Sequence, residues 1–382
     1  HGGVPLTGGS YRFFVCGSTS IMDLDGLKLD GNGDGTGGDD FTRSFVVDDT
    51  VPSTPVLSAD QPTSTWSNDN TVDFSWTAAT DGSGISGYSY AFDHSAATVP
   101  DSLTETSGLV RAETASTDAD DWWFHVRACD TAGNCGGTAH LGPFQIDTTA
   151  PGAPGSVSSS SHDSGPANDP TIDVAWGAAS DSLSGVVGYT YAFDGNPTGS
   201  CAGGSTASLS ATSGALADGS HYLHVCAVDA AGNSSAAVHG GPYVLDTSGP
   251  AGLAVTSTSH AVSTWSNDSS IDFAFSGATD ANGVAGYALA FDQAAATVPA
   301  CATAQVAATF TGSSSSDGND WWIHVRALDA AGNCGGTVHL GPFWIDTTAP
   351  GAPGAVSSSS HGGGATNDPT IDVAWGAATD AL

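Results

Sequence analysis

The sequence predicts an all-β fold, a tandem array of seven-stranded β-sandwiches of about a hundred residues each. Three observations carry that prediction. The first is an internal repeat. The junction Asp48-Asp49-Thr50-Val51-Pro52 returns as Asp147-Thr148-Thr149-Ala150-Pro151, as Asp246-Thr247-Ser248-Gly249-Pro250 and as Asp346-Thr347-Thr348-Ala349-Pro350, with the prolines 99, 99 and 100 residues apart. The second is a local period of two, which belongs to strands. The third is composition: 51 Gly and 18 Pro oppose long helices, and the only glutamates are Glu105 and Glu113.

Within each period the landmarks keep their order. In Val72-Asp73-Phe74-Ser75-Trp76 the apolar residues share one face while Asp73 and Ser75 point away. The counterparts run from Ile172 to Trp176, from Ile271 to Phe275 and from Ile371 to Trp375. An Asp-containing turn then leads to Gly87-Tyr88, Gly188-Tyr189 and Gly286-Tyr287. A later strand follows, in which Trp122, Phe124, Val126 and Ala128 face inward and Trp123, His125 and Arg127 outward; it runs into Ala-Gly-Asn. Gly142-Pro143-Phe144, Gly241-Pro242-Tyr243 and Gly341-Pro342-Phe343 mark the closing strand. The expected domains are 48–146, 147–245 and 246–345, preceded by the late half of a sandwich in 1–47 and followed by the opening of another in 346–382. A chain that opens on His1 and starts and stops inside domains reads as a piece of a longer array.

The formal charge is -34, from 40 acidic residues against six Lys and Arg. Such a polyanion repels nucleic acid and anionic lipid, and no apolar run approaches the roughly 20 residues that cross a bilayer. Divalent cations or high salt would relieve its self-repulsion; a solvated acidic surface is the plainer alternative. Of the seven cysteines, Cys129 and Cys135 fall in one repeat, Cys201 and Cys226 in the next, and Cys301 and Cys334 in the third. One disulfide per domain in an oxidising compartment is the expectation, with free buried thiols as the alternative. Cys16 is left without an assigned partner.

Taken together, Trp76 on the second strand, the Asp81 turn, Gly87-Tyr88, the Trp122 strand running into Asp130 and Asn134, and Asp147-Thr148-Thr149-Ala150-Pro151 resemble bacterial immunoglobulin-like and fibronectin-type-III-like repeats. The resemblance covers 51–348 as three full repeats and 349–382 as the start of a fourth. The Asp/Gly loop of residues 27–40 is similar to the terminal loop of S-layer-type immunoglobulin-like domains. Such modules stand in tandem in secreted and cell-surface proteins, which implies an extracellular or cell-surface location and no particular ligand.

The clearest ligand signal is Asp30-x-Asn32-x-Asp34-Gly35-Thr36, alternating oxygen donors around a Gly-permitted turn, as in the first half of an EF-hand loop. Asp30, Asn32 and Asp34 would offer side-chain oxygens to calcium, Thr36 its carbonyl, and Asp39 or Asp40 the closing carboxylate. Phe41 stands where the EF-hand has its closing Glu, and a Gly/Asp hairpin without metal is the alternative.

The fold predicts a second set of oxygens at the domain junctions. Asp48 or Asp49 gathers with Asp81, Asp130 and Asn134; Asp147 with Asp181, Asp229 and Asn233; Asp246 with Asp280, Asp329 and Asn333. Calcium there would stiffen the array as oxygen-rich junctions do in cadherin-like proteins; the alternative is that these residues only make good turns.

His125, His224 and His324 recur at one outward position and His140, His239 and His339 near the last strand; two imidazoles per domain could bind a metal, but nothing places a third ligand, and packed or hydrogen-bonded surface histidines are expected. Trp123 and Trp322 are candidate contacts for a neighbouring chain or a glycan, or covers for the sheet edge. No GxSxG, HExxH or phosphate loop is present, and no catalytic residue is assigned. The expectation is therefore a structural or adhesive rod, stalk or filament stiffened by calcium and disulfides. Its partners would be copies of itself or surface glycans and proteins. The alternative is a spacer or glycan-binding region of a secreted hydrolase.

Overall fold

The structure, a computed structural model, describes residues 5–17, 21–303 and 305–381. Among these residues there is no helix, and the regular structure is all strand. By internal packing the chain forms two compact units. One comprises the chain up to Pro154 with Ala179–Tyr189 and Cys226–Ala236; the other comprises Gly155–Ala178, Thr190–Val225 and the chain from Ala237 onward.

The first unit opens with Gly9–Val15 (β1) and Phe41–Val47 (β2), an antiparallel pair in which Gly9 lies opposite Val47 and Val15 opposite Phe41. The Asp/Gly loop lies between them. Seven further strands follow: Leu57–Ala59 (β3), Trp66–Ser67 (β4), Thr71–Trp76 (β5), Ile85–Asp93 (β6), Val110–Thr114 (β7), Ala119–Asp130 (β8) and Ala139–Ile146 (β9). They form two sheets, of order β3-β5-β7 and β4-β9-β8-β6. The chain changes sheets between β3 and β4: β3 runs antiparallel to β5, whereas β4 pairs parallel with β9.

Alternation decides what lies between the sheets. Val72, Phe74 and Trp76 of β5 are buried against Trp122, Phe124, Val126 and Ala128 of β8, with Phe144 and Ile146 of β9 closing the cluster. The rings of Phe74 and Phe124 stack with centroids 3.9 Å apart, and Phe144 meets Phe74 edge-on at 5.5 Å. Asp73, on the other face of β5, is exposed.

In the middle repeat the strands are Val157–Ser159 (β10), Asp173–Trp176 (β11), Val186–Asp194 (β12), Gly204–Thr206 (β13), Ser210–Thr212 (β14), Gly219–Asp229 (β15) and Val238–Leu245 (β16). Within the second unit β10, β11 and β14 form one sheet, and β15 pairs antiparallel with β16. The third repeat contains Ala254–Ser257 (β17), Trp265–Ser266 (β18), Ser270–Ser276 (β19), Val284–Asp292 (β20), Thr309–Ser313 (β21), Gly318–Asp329 (β22) and Val338–Ile345 (β23). It repeats the first pattern, with sheets β17-β19-β21 and β18-β23-β22-β20 around a core of Ile271, Phe273, Phe275, Trp321, Ile323, Val325, Phe343 and Ile345. Beyond it, Ser357 and Ala374 form an isolated antiparallel bridge.

Candidate functional site

The acidic residues that recur along the chain converge where it enters each repeat. Asp48 follows β2, Asp81 lies in the turn between β5 and β6, and Asp130 ends β8; one carboxylate oxygen from each lies within 4.8 Å of the others. Asp147, Asp181 and Asp229 converge in the same way, as do Asp246, Asp280 and Asp329. Asp49 stays outside its triad. Several of these carboxylates are buried, Asp147 with no exposed surface and Asp229 with 1%, which is rare for Asp without a partner.

Local chain chemistry holds each triad in place. The backbone N–H groups of Ala132 and Asn134 donate to Asp130 Oδ1, both at 2.8 Å, closing the tight turn after β8; Gly133 takes φ 95° there. The Asn134 side-chain amide donates to Asp130 Oδ2 at 2.9 Å and to the Asp48 carbonyl at 3.0 Å. Asn233 and Asn333 do the same, reaching the carbonyls of Asp147 at 2.8 Å and Asp246 at 2.6 Å. The asparagines thus act as struts between turn and incoming chain, with their amide nitrogens committed as donors.

Thr149 N–H donates to Asp147 Oδ1 and Ser184 N–H to Oδ2, while Asn282 donates to Asp246 Oδ2. Asp48 Oδ1 accepts from Thr50, and its buried Oδ2 has no hydrogen-bond partner among the described residues. Turn-making and convergence are therefore properties of the same carboxylates.

Hydrogen bonds lower the carboxyls of Asp48, Asp130 and Asp181. The Thr50 hydroxyl and N–H hold the Asp48 carboxyl below the usual carboxylate range. Burial pushes Asp130 upward, but the bonds from Asn134, Ala132 and Gly133 outweigh it and leave its carboxyl low. Asp181 is lowered by the N–H groups of Gly185 and Leu183. Three hard oxygen donors with this spacing suit a cation such as calcium, which takes six to eight oxygens at about 2.3–2.6 Å. They do not suit a nitrogen- or sulfur-preferring metal.

In the Asp/Gly loop Asp30, Asp34 and Asp39 converge within the same 4.8 Å, and Asp40 turns away to accept from Gly17 N–H at 3.1 Å. Asp30 gathers the N–H groups of Gly33, Asp34 and Gly35. The Asn32 amide donates to Asp34 Oδ2, and Thr36 N–H donates to Asp34 Oδ1, which lowers the Asp34 carboxyl.

Sequence reading missed a second acidic device. Asp118, just before β8, accepts the hydroxyls of Thr148 at 2.9 Å and Thr149 at 2.6 Å. Asp218 grips Thr247 and Ser248, and Asp317 grips Thr347 and Thr348, in the same bidentate manner. Each clamp fastens the Asp-Thr-Thr or Asp-Thr-Ser segment that leaves its repeat. In the second unit Asp218 lines one cleft with Asp246, Asp280 and Asn282, so clamp and triad share a junction.

The disulfide Cys129–Cys135 closes the turn after β8, and Cys301–Cys334 ties the segment after β20 to the turn after β22. Cys201 and Cys226 are also disulfide-bonded, and Cys16 is exposed and free. Trp123 and Trp322 are half-buried: a Cβ added to Gly142 or Gly341 would strike their rings, which cover the Gly-Pro step of the closing strand. Trp265, 45% exposed, is more open than either and meets Trp344 with ring centroids 5.5 Å apart. Of the six recurring histidines, His140, His239 and His339 are exposed, whereas His125, His224 and His324 have no exposed surface.

Two sheets, one built from β3, β5 and β7 and the other from β4, β9, β8 and β6, with the first strand crossing between them, define a known sandwich. The repeats are immunoglobulin-like and fibronectin-III-like.

No protein-family model matches the chain. Chitinase A1 of Niallia circulans is 32% identical over 197 residues, 50% of this chain and 25% of that protein. Exoglucanase B of Cellulomonas fimi is 29% identical over 264 residues, 66% of this chain and 22% of that protein. The chain thus spans a quarter or less of these curated relatives. Among solved structures, the fibronectin(III)-like modules of Clostridium thermocellum CbhA align with 15% identity and a TM-score of 0.29, over 50% of this chain and 95% of theirs. At that score the likeness adds nothing to what the sheet order already shows.

Proposed function

We propose that this chain is a non-catalytic extracellular spacer in which calcium at the entry pole of each immunoglobulin/fibronectin-III-like repeat stiffens a rod-like array. The observation that carries the reading is the recurrence of one Asp triad at equivalent positions of three repeats, each within 4.8 Å. Uncompensated carboxylates at that spacing repel, and a divalent cation converts the repulsion into cross-linking of incoming chain, turn and strand end. Repeats of about a hundred residues, bounded near Asp48, Asp147, Asp246 and Asp346, are the folding units in this account. The Asp30, Asp34 and Asp39 loop is a further calcium site. The relatives' names favour one setting, an array beside a domain that acts on a polysaccharide. Self-association or contact with surface glycans is the adhesive alternative.

Isothermal titration of calcium into the full chain tests the proposal. The expected result is saturable uptake at several sites, reduced when Asp147 and Asp229 are both replaced by Asn. Absence of uptake at millimolar calcium, on the order expected for extracellular modules, would sink it. Pull-down on insoluble chitin and cellulose separates a silent spacer, which stays in solution, from a glycan-binding one.

A further inference from the structure

The buried histidines belong to neither the triads nor the clamps. His125 on β8, His224 on β15 and His324 on β22 are each completely buried. The Nδ1 of each lies 2.6 Å from the Nδ1 of a second histidine directly opposite on the closing strand: His140 on β9, His239 on β16 and His339 on β23. On the other side, Nε2 faces a carboxylate from the neighbouring strand, hydrogen-bonded to Asp194 at 3.0 Å in the second repeat and lying farther off, without a hydrogen bond, from Asp93 at 3.5 Å and Asp292 at 3.4 Å in the first and third. The segment after that strand roofs the chain of groups, so closely that a Cβ on Gly199 would strike both His224 Nε2 and the Asp194 carboxylate.

Counting protons gives this arrangement a direction. Two Nδ1 atoms in hydrogen-bond contact hold one proton between them. The carboxylate favours a proton on the buried ring's Nε2, which leaves its Nδ1 as acceptor and the outer ring's Nδ1–H as donor. A further proton on the outer ring's Nε2 would keep the contact. One more sets two N–H groups against each other and breaks it. A shared metal ion does not explain the pair, because ligands bound at about 2.0–2.1 Å in tetrahedral geometry stand farther apart.

We infer that each Asp–His–His chain is a proton-operated latch that fastens the closing strand to its sheet near neutral pH and releases it on acidification. The charged groups around the first latch are Asp93 from β6, His140 from β9 and Arg127 on β8, with Asp101 in the roofing segment. In the second they are Asp194 and His239; in the third, Asp292 and His339, with Arg326 on β22. Burial holds the His125 imidazole below its ordinary range, His140 adds to the effect, and Asp93 opposes it without reversing it. With the folded value depressed, the unfolded chain takes up the proton first. The His125 contribution to stability is therefore full above about pH 6.5 and falls as pH drops from there towards its lower folded value.

The test uses the full chain. Imidazole nitrogen NMR at about pH 7.5 should find His125, His224 and His324 as Nε2–H tautomers. Between about pH 7.5 and pH 5, amide protection corrected for intrinsic rates should fall about tenfold in β9, β16 and β23, and by less in β5, β11 and β19. The triple variant His140→Gln, His239→Gln and His339→Gln keeps a non-titrating donor and should lose this pH response. Protection in the closing strands that is unchanged at pH 5, or a triple variant that responds like the native chain, overturns the latch. If the variant does not fold, the tautomers decide, since Nδ1–H on the buried rings contradicts the proposal. Joint displacement of both rings' signals by micromolar zinc would make the pair a metal site and overturn it as well.

Discussion

Replacing Phe74 by Ala should unfold one repeat early and leave the third repeat as stable as before. Phe74 is 2% exposed and touches three rings: Phe124 at 3.9 Å, Phe144 at 5.5 Å and Phe92 at 5.6 Å between centroids. Removing it takes away a transfer contribution and leaves a cavity that rigid neighbouring rings cannot close, a combination that costs about 3–5 kcal/mol. A domain of this size is stable by roughly 5–15 kcal/mol. With a urea dependence of about 2 kcal/mol per molar, the midpoint should fall by roughly 2 M.

Phe273 is the counterpart in the third repeat, 1% exposed and set between Phe291 and Phe343. Hydrogen exchange followed by mass spectrometry across a urea series reports each repeat through peptides from β8 and β22. Phe74→Ala should shift the β8 transition alone and Phe273→Ala the β22 transition alone. If either variant moves both transitions equally, the repeats share one cooperative core and the reasoning is wrong.

Loop length sets the ranking of the disulfides. Cys301–Cys334 spans 33 residues and Cys129–Cys135 only six. Chain entropy then makes the double Cys→Ala variant of the longer loop less stable by about 1.4 kcal/mol than that of the shorter one, measurable by urea denaturation. Asp218→Ala removes the acceptor for both hydroxyls and for the Thr247 N–H, and amide exchange at Thr247 should accelerate about tenfold while β19 is unaffected. Acid should act on the clamps in one pH window. The hydroxyls of Ser248 and Thr247 lower Asp218, and that of Thr348 lowers Asp317. Their contribution is complete above about pH 3.8 and disappears as pH falls through their folded values, which thermal unfolding between pH 5 and 2 would record.

Much of the fold was legible because its signals are local. Alternation in Val72-Asp73-Phe74-Ser75-Trp76 specifies a two-faced strand, and β5 buries the alternate residues Val72, Phe74 and Trp76. The triads were legible for a related reason: Asp81 and Asp130 stand in turns whose position the sandwich dictates, so periodicity alone brings them near Asp48.

What escaped depends on chain that returns from a distance. Asp118 is one of many turn-like aspartates until Thr148 and Thr149 fold back onto it, about thirty residues later. His125 lies on the outward face of β8, as alternation requires, yet it is interior because a long segment crosses that face; no periodicity announces a roof. Asp39 and Asp40 are adjacent and chemically alike, and only the approach of Gly17 separates their roles.

Whether calcium sets the stiffness of the array is the question on which most depends. Small-angle scattering of the full chain in calcium, and again after removal with a chelator, measures this with one preparation. The expected result is a clear loss of maximum dimension and a broader distance distribution without calcium, reproduced in calcium by Asp147→Asn with Asp229→Asn. Superimposable curves in the two conditions would contradict it.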